Sequence, residues 1–264
     1  MRVQTNLYPG GKCRALTMSY DDGRIHDRRL IDIFNHHGIR GTFHLNSGKL
    51  DQDDFVTSAE VATLYAGHEV SAHTVTHPFL EITATEELIY EVMEDRRVLE
   101  GLCGYPVRGI SYPFGTYNTK VVEQLRALGI VYARTTQATN KLYVPDEFLV
   151  WHPTCHHKND IMTKLKSFQN RPWPGALLYI WGHSYEFANH DNWEIIEEFC
   201  AAAGGDEKTW YATNIEVYDY ITAQRKLALS ADRTMAYNPA AVSVWVSVDG
   251  EPVECKPGEV TKFC

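Results

Sequence analysis

Apolar runs of strand length alternate along this chain with segments in which apolar residues recur at helical spacing. Such alternation predicts a parallel sheet with helices packed outside it. For 264 residues, we expect a (β/α) barrel, with a doubly wound open sheet as the second choice. The predicted strands are RALTMSY, GTFHLN, HEVSAH, VRGISYP, IVYARTT, FLVW, GALLYIWGH and WYATN.

The pattern changes near the C-terminus, from about residue 236 onward. The sequence AVSVWVSVDGEPVECKPG alternates at a period of two, which is typical of strands with one buried face. Asp249-Gly250 in its middle predicts a hairpin turn. We therefore expect a barrel of seven or eight strands over residues 1–235 and a small β appendage over residues 236–264, packed on the same domain.

Charge and composition exclude several classes of function. The formal net charge is −9 and the basic residues are dispersed, which disfavours nucleic acid as a partner because phosphate binding needs a basic surface. No apolar stretch reaches the roughly 18 residues of a membrane span. The first residues lack the apolar core of a secretion signal, so we expect a cytoplasmic protein without membrane or nucleic-acid partners.

The six cysteines have no metal-site spacing and are expected to be mostly reduced thiols. Cys255 and Cys264 are the one pair that we would test for a disulfide bond.

Polar residues follow nearly every predicted strand. In a barrel, the carboxyl ends of parallel strands meet on one rim, where active sites lie. We therefore expect these polar side chains to converge. They are Asp21, Asp22, Asn46, His73, His77, Arg134 and Asn214, together with the segments SYPFG, WHPTCHH and GHSYEF.

Two histidines and two adjacent carboxylates suggest a metal site on this rim. His73 and His77 lie four positions apart in HTVTHP, and Pro78 disfavours a regular helix there. Two histidines and one carboxylate leave an open position, as in catalytic zinc sites. Of Asp21 and Asp22, one can ligate the ion while the other remains free as a general base. The alternatives are two surface histidines and an ordinary Asp-Gly turn.

At this point four segments resemble the polysaccharide deacetylase family, also called NodB-homology proteins or carbohydrate esterase family 4. MSYDDG is similar to the family's first motif, and GHEVSAHTVTHP contains its H-[ST]-x-x-H motif. YPFGTYN and LLYIWGHS are similar to the third and last motifs. The resemblance covers residues 14–220, and the first two motifs are specific in combination.

The resemblance implies a distorted barrel that hydrolyses N-acetyl groups on amino sugars with one divalent metal ion. Zinc is the expected ion, with cobalt, nickel or manganese as alternatives. The positions that match the family's motifs imply Asp21 as catalytic base, Asp22, His73 and His77 as metal ligands, the backbone N–H of Phe114 as oxyanion donor, and His183 as catalytic acid.

One departure concerns the arginine that steadies the base in the family. Ser111 occupies its position, and Arg108 lies at an odd offset along the strand, which turns it to the other face. We predict that Arg134, at the end of the next strand, binds Asp21 instead. The family's Asp-Trp pattern in its fourth motif is also absent, which leaves the substrate open.

The substrate is expected to be a carbohydrate. The residues expected to contact it are Asn46, Tyr112, Trp151, His156 and Glu186, of which Glu186 alternatively orients His183. Trp151, Trp173 and Trp181 could each stack on a sugar ring, with core packing as the more common alternative for such residues.

Several other functions fit the same residues. An acetyl-ester hydrolase or a related non-peptide amide hydrolase would use the same site, and assays on esters and amides distinguish them. A non-heme iron oxygenase also uses two histidines and a carboxylate, but it does not need the second aspartate. A carbohydrate-binding pseudoenzyme would have no need of a base.

Overall fold

The computed structural model describes residues 1–263. The possible Cys255–Cys264 disulfide bond therefore lies outside the described residues. The strands are β1 Val3–Gln4, β2 Arg14–Asp21, β3 Gly41–Leu45, β4 Glu69–Ala72, β5 Gly109–Ser111, β6 Tyr132–Arg134, β7 Cys155–His156, β8 Ala176–Gly182, β9 Thr209–Tyr211, β10 Ala228–Leu229, β11 Met235–Tyr237, β12 Val244–Val248, β13 Glu251–Cys255 and β14 Val260–Lys262. The helices are α1 Asp27–His36, α2 Val61–Leu64, α3 Thr85–Cys103, α4 Thr119–Ala127, α5 Ile161–Gln169, α6 Ser184–His190, α7 Glu194–Ala203 and α8 Asn214–Arg225.

A curled parallel sheet forms the body of the protein. Its strand order is β6-β5-β4-β3-β2-β8-β7, and β9 pairs with the first residues of β2. The segment that precedes β7 connects β6, at one end of this sheet, to β8 near the other end. The Trp151 N–H donates to Ala133 on β6, and the Thr154 N–H donates to Tyr179 on β8. The expected distorted (β/α) barrel is confirmed.

The central strands are buried on both faces. In β2, every residue from Ala15 to Asp21 is buried, as expected for a parallel strand between helices and a filled barrel interior. The helices cover the outside with apolar faces, such as Leu30, Ile31 and Phe34 of α1. Among the described residues, no helix combines the length and apolar character that a membrane span requires.

The prediction of a strand at FLVW was wrong. Residues Phe148–Val150 form a turn of 3₁₀ helix, and the strand in this region is β7. The carboxylate of Glu147 accepts the N–H of Leu149 at 2.9 Å and caps this turn. Phe148 and Leu149 are buried, so the apolar run reflects core packing and not strand pairing.

The C-terminal strands form two small antiparallel sheets, with orders β1-β12-β13 and β10-β11-β14. The predicted hairpin is present, because Val248 pairs with Glu251 across Asp249-Gly250. Both turn residues have positive φ, which an Asp-Gly hairpin turn tolerates. The first of these sheets also contains β1, from the N-terminal part of the chain. The boundary at residue 236 remains a prediction.

Gly109 on β5 permits the close approach of β6. A Cβ atom at Gly109 would lie 2.0 Å from the ring of Tyr132, and the Tyr132 hydroxyl donates to Glu69 at 2.7 Å, which holds the ring in place. Gly109→Ala should therefore lower the free energy of unfolding by about 1–3 kcal/mol, measured by urea denaturation. Gly101→Ala on α3 is the matched control, since the methyl group that it adds would meet no other atom within 4 Å. Equal stability of the two variants would contradict this packing.

Candidate active site

A cleft of about 300 Å³ opens at the carboxyl ends of the barrel strands. The sequence predicted that polar side chains from distant segments would meet there, and the structure brings most of them together. The cleft is lined by Asp21, Asp22, His73, His77, Tyr112, Phe114, Thr136, Trp181, His183 and Tyr185.

Three potential metal ligands converge in this cleft. Asp22 Oδ1 lies 3.6 Å from His73 Nε2 and 3.9 Å from His77 Nε2. His73 Nδ1 lies 2.9 Å from the Ser111 carbonyl oxygen, to which it can only donate, so Nε2 carries the free lone pair. Burial lowers the pKa of both histidines, that of His77 to about 4, so both are neutral near pH 7. A neutral imidazole is the form that binds a metal ion.

The backbone turns sharply at two of these ligands. Asp22 has φ 81° and His77 has φ 68°, both in the left-handed region. Such conformations are costly for residues other than glycine and are concentrated at functional sites. The left-handed turn after Asp21 lets two adjacent carboxylates reach the same cleft. The irregular turn that Pro78 predicted at His77 is confirmed.

Two buried acids of α3 hold the histidine loop. Glu91 accepts the N–H and the hydroxyl of Thr76 at 2.8 and 2.7 Å. Asp95 accepts the N–H of His73 at 2.9 Å and that of Ser47 at 2.7 Å. The sequence analysis missed both acids, although a charged residue at a core position of an amphipathic helix is a usable signal.

Asp21 is buried but ionised, because two groups hold its carboxylate. The guanidinium of Arg134 donates to Oδ2, and the Ser111 hydroxyl donates to Oδ1 at 3.2 Å. Burial alone would raise the pKa of Asp21, but Arg134 outweighs it and holds this pKa well below its usual range. Arg134 is itself fully buried, and its guanidinium lies over the ring of Trp181 at 4.3 Å from the centroid.

Arg108 points away from the cleft and forms an ion pair with Asp219 at 2.6 Å. The predicted contact of Arg134 with Asp21 and the outward direction of Arg108 are both present. The sequence analysis treated Ser111 only as the residue that replaces the family's arginine, yet its hydroxyl also donates to Asp21.

His183 lines the cleft beside a histidine-rich cluster around Glu186. Its Nδ1 lies 3.4 Å from Glu186 Oε2, and the Nε2 atoms of His156 and His157 lie 3.1 Å from the same oxygen. Lys158 Nζ lies 2.5 Å from Oε1. Burial would raise the pKa of Glu186, but these four neighbours hold it well below its usual range.

The Glu186 cluster has the composition of a second metal site, since His156, His157 and Glu186 bring three ligand atoms together. The tautomer of His156 argues against this. The Lys158 backbone N–H donates to His156 Nδ1 at 3.1 Å, so a neutral His156 carries its proton on Nε2, facing Glu186. This nitrogen is a hydrogen-bond donor and not a ligand. The cluster therefore holds Glu186 ionised beside His183.

The five expected substrate contacts have different surroundings. Tyr112 lines the cleft, while its hydroxyl donates to the Leu149 carbonyl at 2.7 Å. His156 and Glu186 contact each other beside the cleft. Asn46 and Trp151 are each only 1% exposed and, unlike the equally buried Tyr112, neither lines the cleft, so a substrate contact does not fit either residue.

The contacts of Asn46 and Trp151 explain why neither residue reaches a substrate. The Asn46 amide donates to the carbonyls of His73 and Thr74 at 2.5 and 2.9 Å, and so supports the histidine loop. Trp151 packs edge-to-face on Tyr179 inside the core. Core packing is wrong for Trp173, which is 73% exposed.

Comparisons with known proteins agree with the motifs. Residues 9–133 match the family model described as polysaccharide deacetylase. A peptidoglycan-N-acetylglucosamine deacetylase of Listeria monocytogenes is 23% identical over 42% of this chain and 24% of that protein. A chitooligosaccharide deacetylase of Azorhizobium caulinodans is 32% identical over 24% of this chain and 31% of that protein. The chain thus matches less than a third of the length of either curated relative.

The crystal structure of a putative polysaccharide deacetylase from Mycobacterium smegmatis shares the fold. The TM-score is 0.64 at 16% identity, and the match covers 83% of this chain and 93% of that one. This match shows the fold, while the family match and the two relatives confirm the resemblance of the chain to the polysaccharide deacetylase family.

Proposed function

We propose that the protein is a metal-dependent hydrolase that removes N-acetyl groups from an amino sugar or oligosaccharide. The observation that carries this proposal is the arrangement of one cleft. Asp22, His73 and His77 converge there as a set of three ligands, and the ionised Asp21 lies beside them as a fourth group that the set does not need. The named activities of the two curated relatives, on peptidoglycan and chitooligosaccharide, support an acetylated sugar as substrate.

The ligand set fits a divalent ion, with zinc proposed first. Asp22, His73 and His77 would hold it and leave a position open for substrate or water. When bound, such an ion polarises the acetyl carbonyl and lowers the pKa of water toward about 7. The Ser111 carbonyl fixes the ring orientation of His73, as outer partners of metal-binding histidines commonly do.

Asp21 is proposed as the general base. A base must be ionised and aimed at the proton that it removes. Arg134 and Ser111 meet both requirements, because they keep the carboxylate charged and fix both of its oxygens. His73 Nε2 lies 3.9 Å from Asp21 Oδ2, so the base lies next to the ligand set.

His183 is proposed as the acid that protonates the departing amine. Burial would lower its pKa, but Glu186 and the two cleft aspartates raise it above the ordinary value. His183 therefore holds a proton more readily than an ordinary histidine does. Because Nδ1 lies toward Glu186, Nε2 is the nitrogen available to the leaving group.

Phe114 is proposed to donate its backbone N–H to the developing oxyanion. The residue has φ 57° and lines the cleft. Preorganised donors of this kind typically contribute a factor of about 10²–10³ in kcat.

The proposed activity is tested by measuring acetate release from N-acetylglucosamine oligomers and acetyl esters. The metal-stripped protein should be inactive, and zinc, cobalt, nickel or manganese should restore activity. Release of acetate from amides supports the proposal, whereas release from esters alone would favour the acetyl-ester hydrolase. No release with any metal would contradict both functions and favour a sugar-binding pseudoenzyme.

The ligand assignment predicts the metal content of variants. His73→Ala and His77→Ala should each retain well below one equivalent of zinc after dialysis, because one of three ligands is lost. His36→Ala, which changes an exposed histidine of α1, should retain the wild-type content. Inductively coupled plasma mass spectrometry gives the stoichiometry, and wild-type occupancy in both ligand variants would refute the assignment.

The role of Arg134 predicts a loss of turnover without a loss of metal. Arg134→Ala should lower kcat by about 10²-fold or more, because Asp21 loses its charged partner and its orientation. Arg134→Lys should recover only part of this loss, since lysine lacks the planar fork of arginine. Arg108→Ala removes an ion pair with Asp219 and is the matched control. A larger loss in Arg108→Ala than in Arg134→Ala would contradict the assignment.

The acid role of His183 predicts a dependence on the leaving group. His183→Ala should slow hydrolysis of N-acetyl amides far more than that of p-nitrophenyl acetate, whose leaving group departs without a proton. Glu186→Gln should lower the pKa of His183, so the alkaline limb of the amide pH profile should move to lower pH. Equal losses on both substrates would show that His183 does not protonate the leaving group.

A further inference from the structure

Two exposed aromatic rings stack on each other beside the cleft, and one of them, Phe114, lines it. Phe79 and Phe114 stack face to face, with centroids 3.8 Å apart and planes 10° from parallel. Phe79 is 42% exposed and Phe114 is 51% exposed. The edge of the pair meets the metal-ligand set, because the His77 ring lies 4.5 Å from Phe114 in a T-shaped contact. Phe79 and Phe114 are called the aromatic platform below.

The two loops that carry the platform are tied together. The Thr116 hydroxyl donates to the Glu81 carboxylate at 2.6 Å, and the Asn118 amide donates to the Glu81 carbonyl at 3.4 Å. The carbonyl of Phe79 accepts the Thr83 hydroxyl at 2.8 Å. The platform is therefore held in place before any ligand binds, which reduces the entropy lost on binding.

Core packing does not explain these rings. About half of each side chain remains in solvent, and Phe114 occupies a left-handed conformation that glycine or asparagine adopts at lower cost. A backbone N–H donor at position 114 requires no aromatic side chain. Strain and exposed apolar area at the edge of a cleft both point to a ligand.

The size of the cleft indicates what this ligand is. A volume of about 300 Å³ is at the lower end for small-molecule sites, so the cleft has room for little more than the reacting sugar residue. Further rings of an oligosaccharide must then lie over the rim. The C–H groups on one face of a pyranose ring form an apolar surface that fits an aromatic ring.

We propose that the aromatic platform binds the sugar ring adjacent to the one that loses its acetyl group. This inference rests on the proposed function and deepens it, because it assigns the substrate to oligosaccharides of at least two rings. Phe114 borders the reacting residue, and Phe79 contacts the next ring.

The test compares binding and turnover of N-acetylglucosamine and its β-1,4-linked trimer in wild type and Phe79→Ala. Phe79→Ala should raise the Kd of the trimer by about three- to tenfold in calorimetry. It should raise the KM of the trimer similarly, with kcat unchanged. Values for the monosaccharide and for p-nitrophenyl acetate should not change. Phe79→Trp, which keeps a flat aromatic ring, should bind the trimer about as tightly as wild type does.

Trp173→Ala is the matched control, because Trp173 is an exposed aromatic residue that precedes β8, at the opposite end of the barrel. It should leave trimer affinity unchanged. Phe79→Leu keeps apolar volume without a flat ring, so it should raise the Kd of the trimer as Phe79→Ala does. Thermal melting checks that both variants fold.

Equal affinity of wild type and Phe79→Ala for the trimer would overturn the proposal, as would wild-type protein that binds the trimer no more tightly than the monosaccharide. Because calorimetry requires no turnover, it can refute the binding role of the platform even if the protein releases acetate. The reverse result, a trimer bound through Phe79 without acetate release, would support the platform and contradict only the hydrolase.

Discussion

The ion pair between Asp21 and Arg134 is the interaction on which the site depends. Asp21 lies on β2 and Arg134 on β6, four places apart in the sheet order, so their contact crosses the barrel interior. A buried carboxylate without a partner would take up a proton or destabilise the fold by several kcal/mol. The same contact therefore stabilises the closed sheet and maintains the charge that a base requires.

The surroundings of this pair separate the two adjacent aspartates. Asp21 points to Arg134 and Ser111 inside the barrel, while the left-handed turn at Asp22 directs that carboxylate to His73 and His77. The buried acids of α3 in turn hold the histidine loop. The two adjacent carboxylates thus have different partners, which fits the proposed roles of Asp22 as a cation ligand and Asp21 as a free base.

Much of the fold followed from the sequence because parallel strands gather their carboxyl ends on one rim. The direction of Arg108 followed from strand alternation, which is a local property. Errors arose where long-range packing decides the outcome. Local pattern does not show whether Trp151 faces the cleft or the core. It also does not show that Asn46 binds the carbonyls of a neighbouring loop, or that Glu186 meets residues 156–158 from another segment.

The most direct test of the division of roles is to measure zinc content and acetate release in Asp21→Asn and Asp22→Asn side by side. Asparagine preserves the shape of aspartate but removes its charge and its ability to accept a proton. We predict that Asp21→Asn retains one zinc per chain and loses nearly all acetate release, whereas Asp22→Asn loses most of both. Near-normal turnover in Asp21→Asn, or full zinc occupancy in Asp22→Asn, would contradict the central claim that the two neighbouring carboxylates perform different tasks.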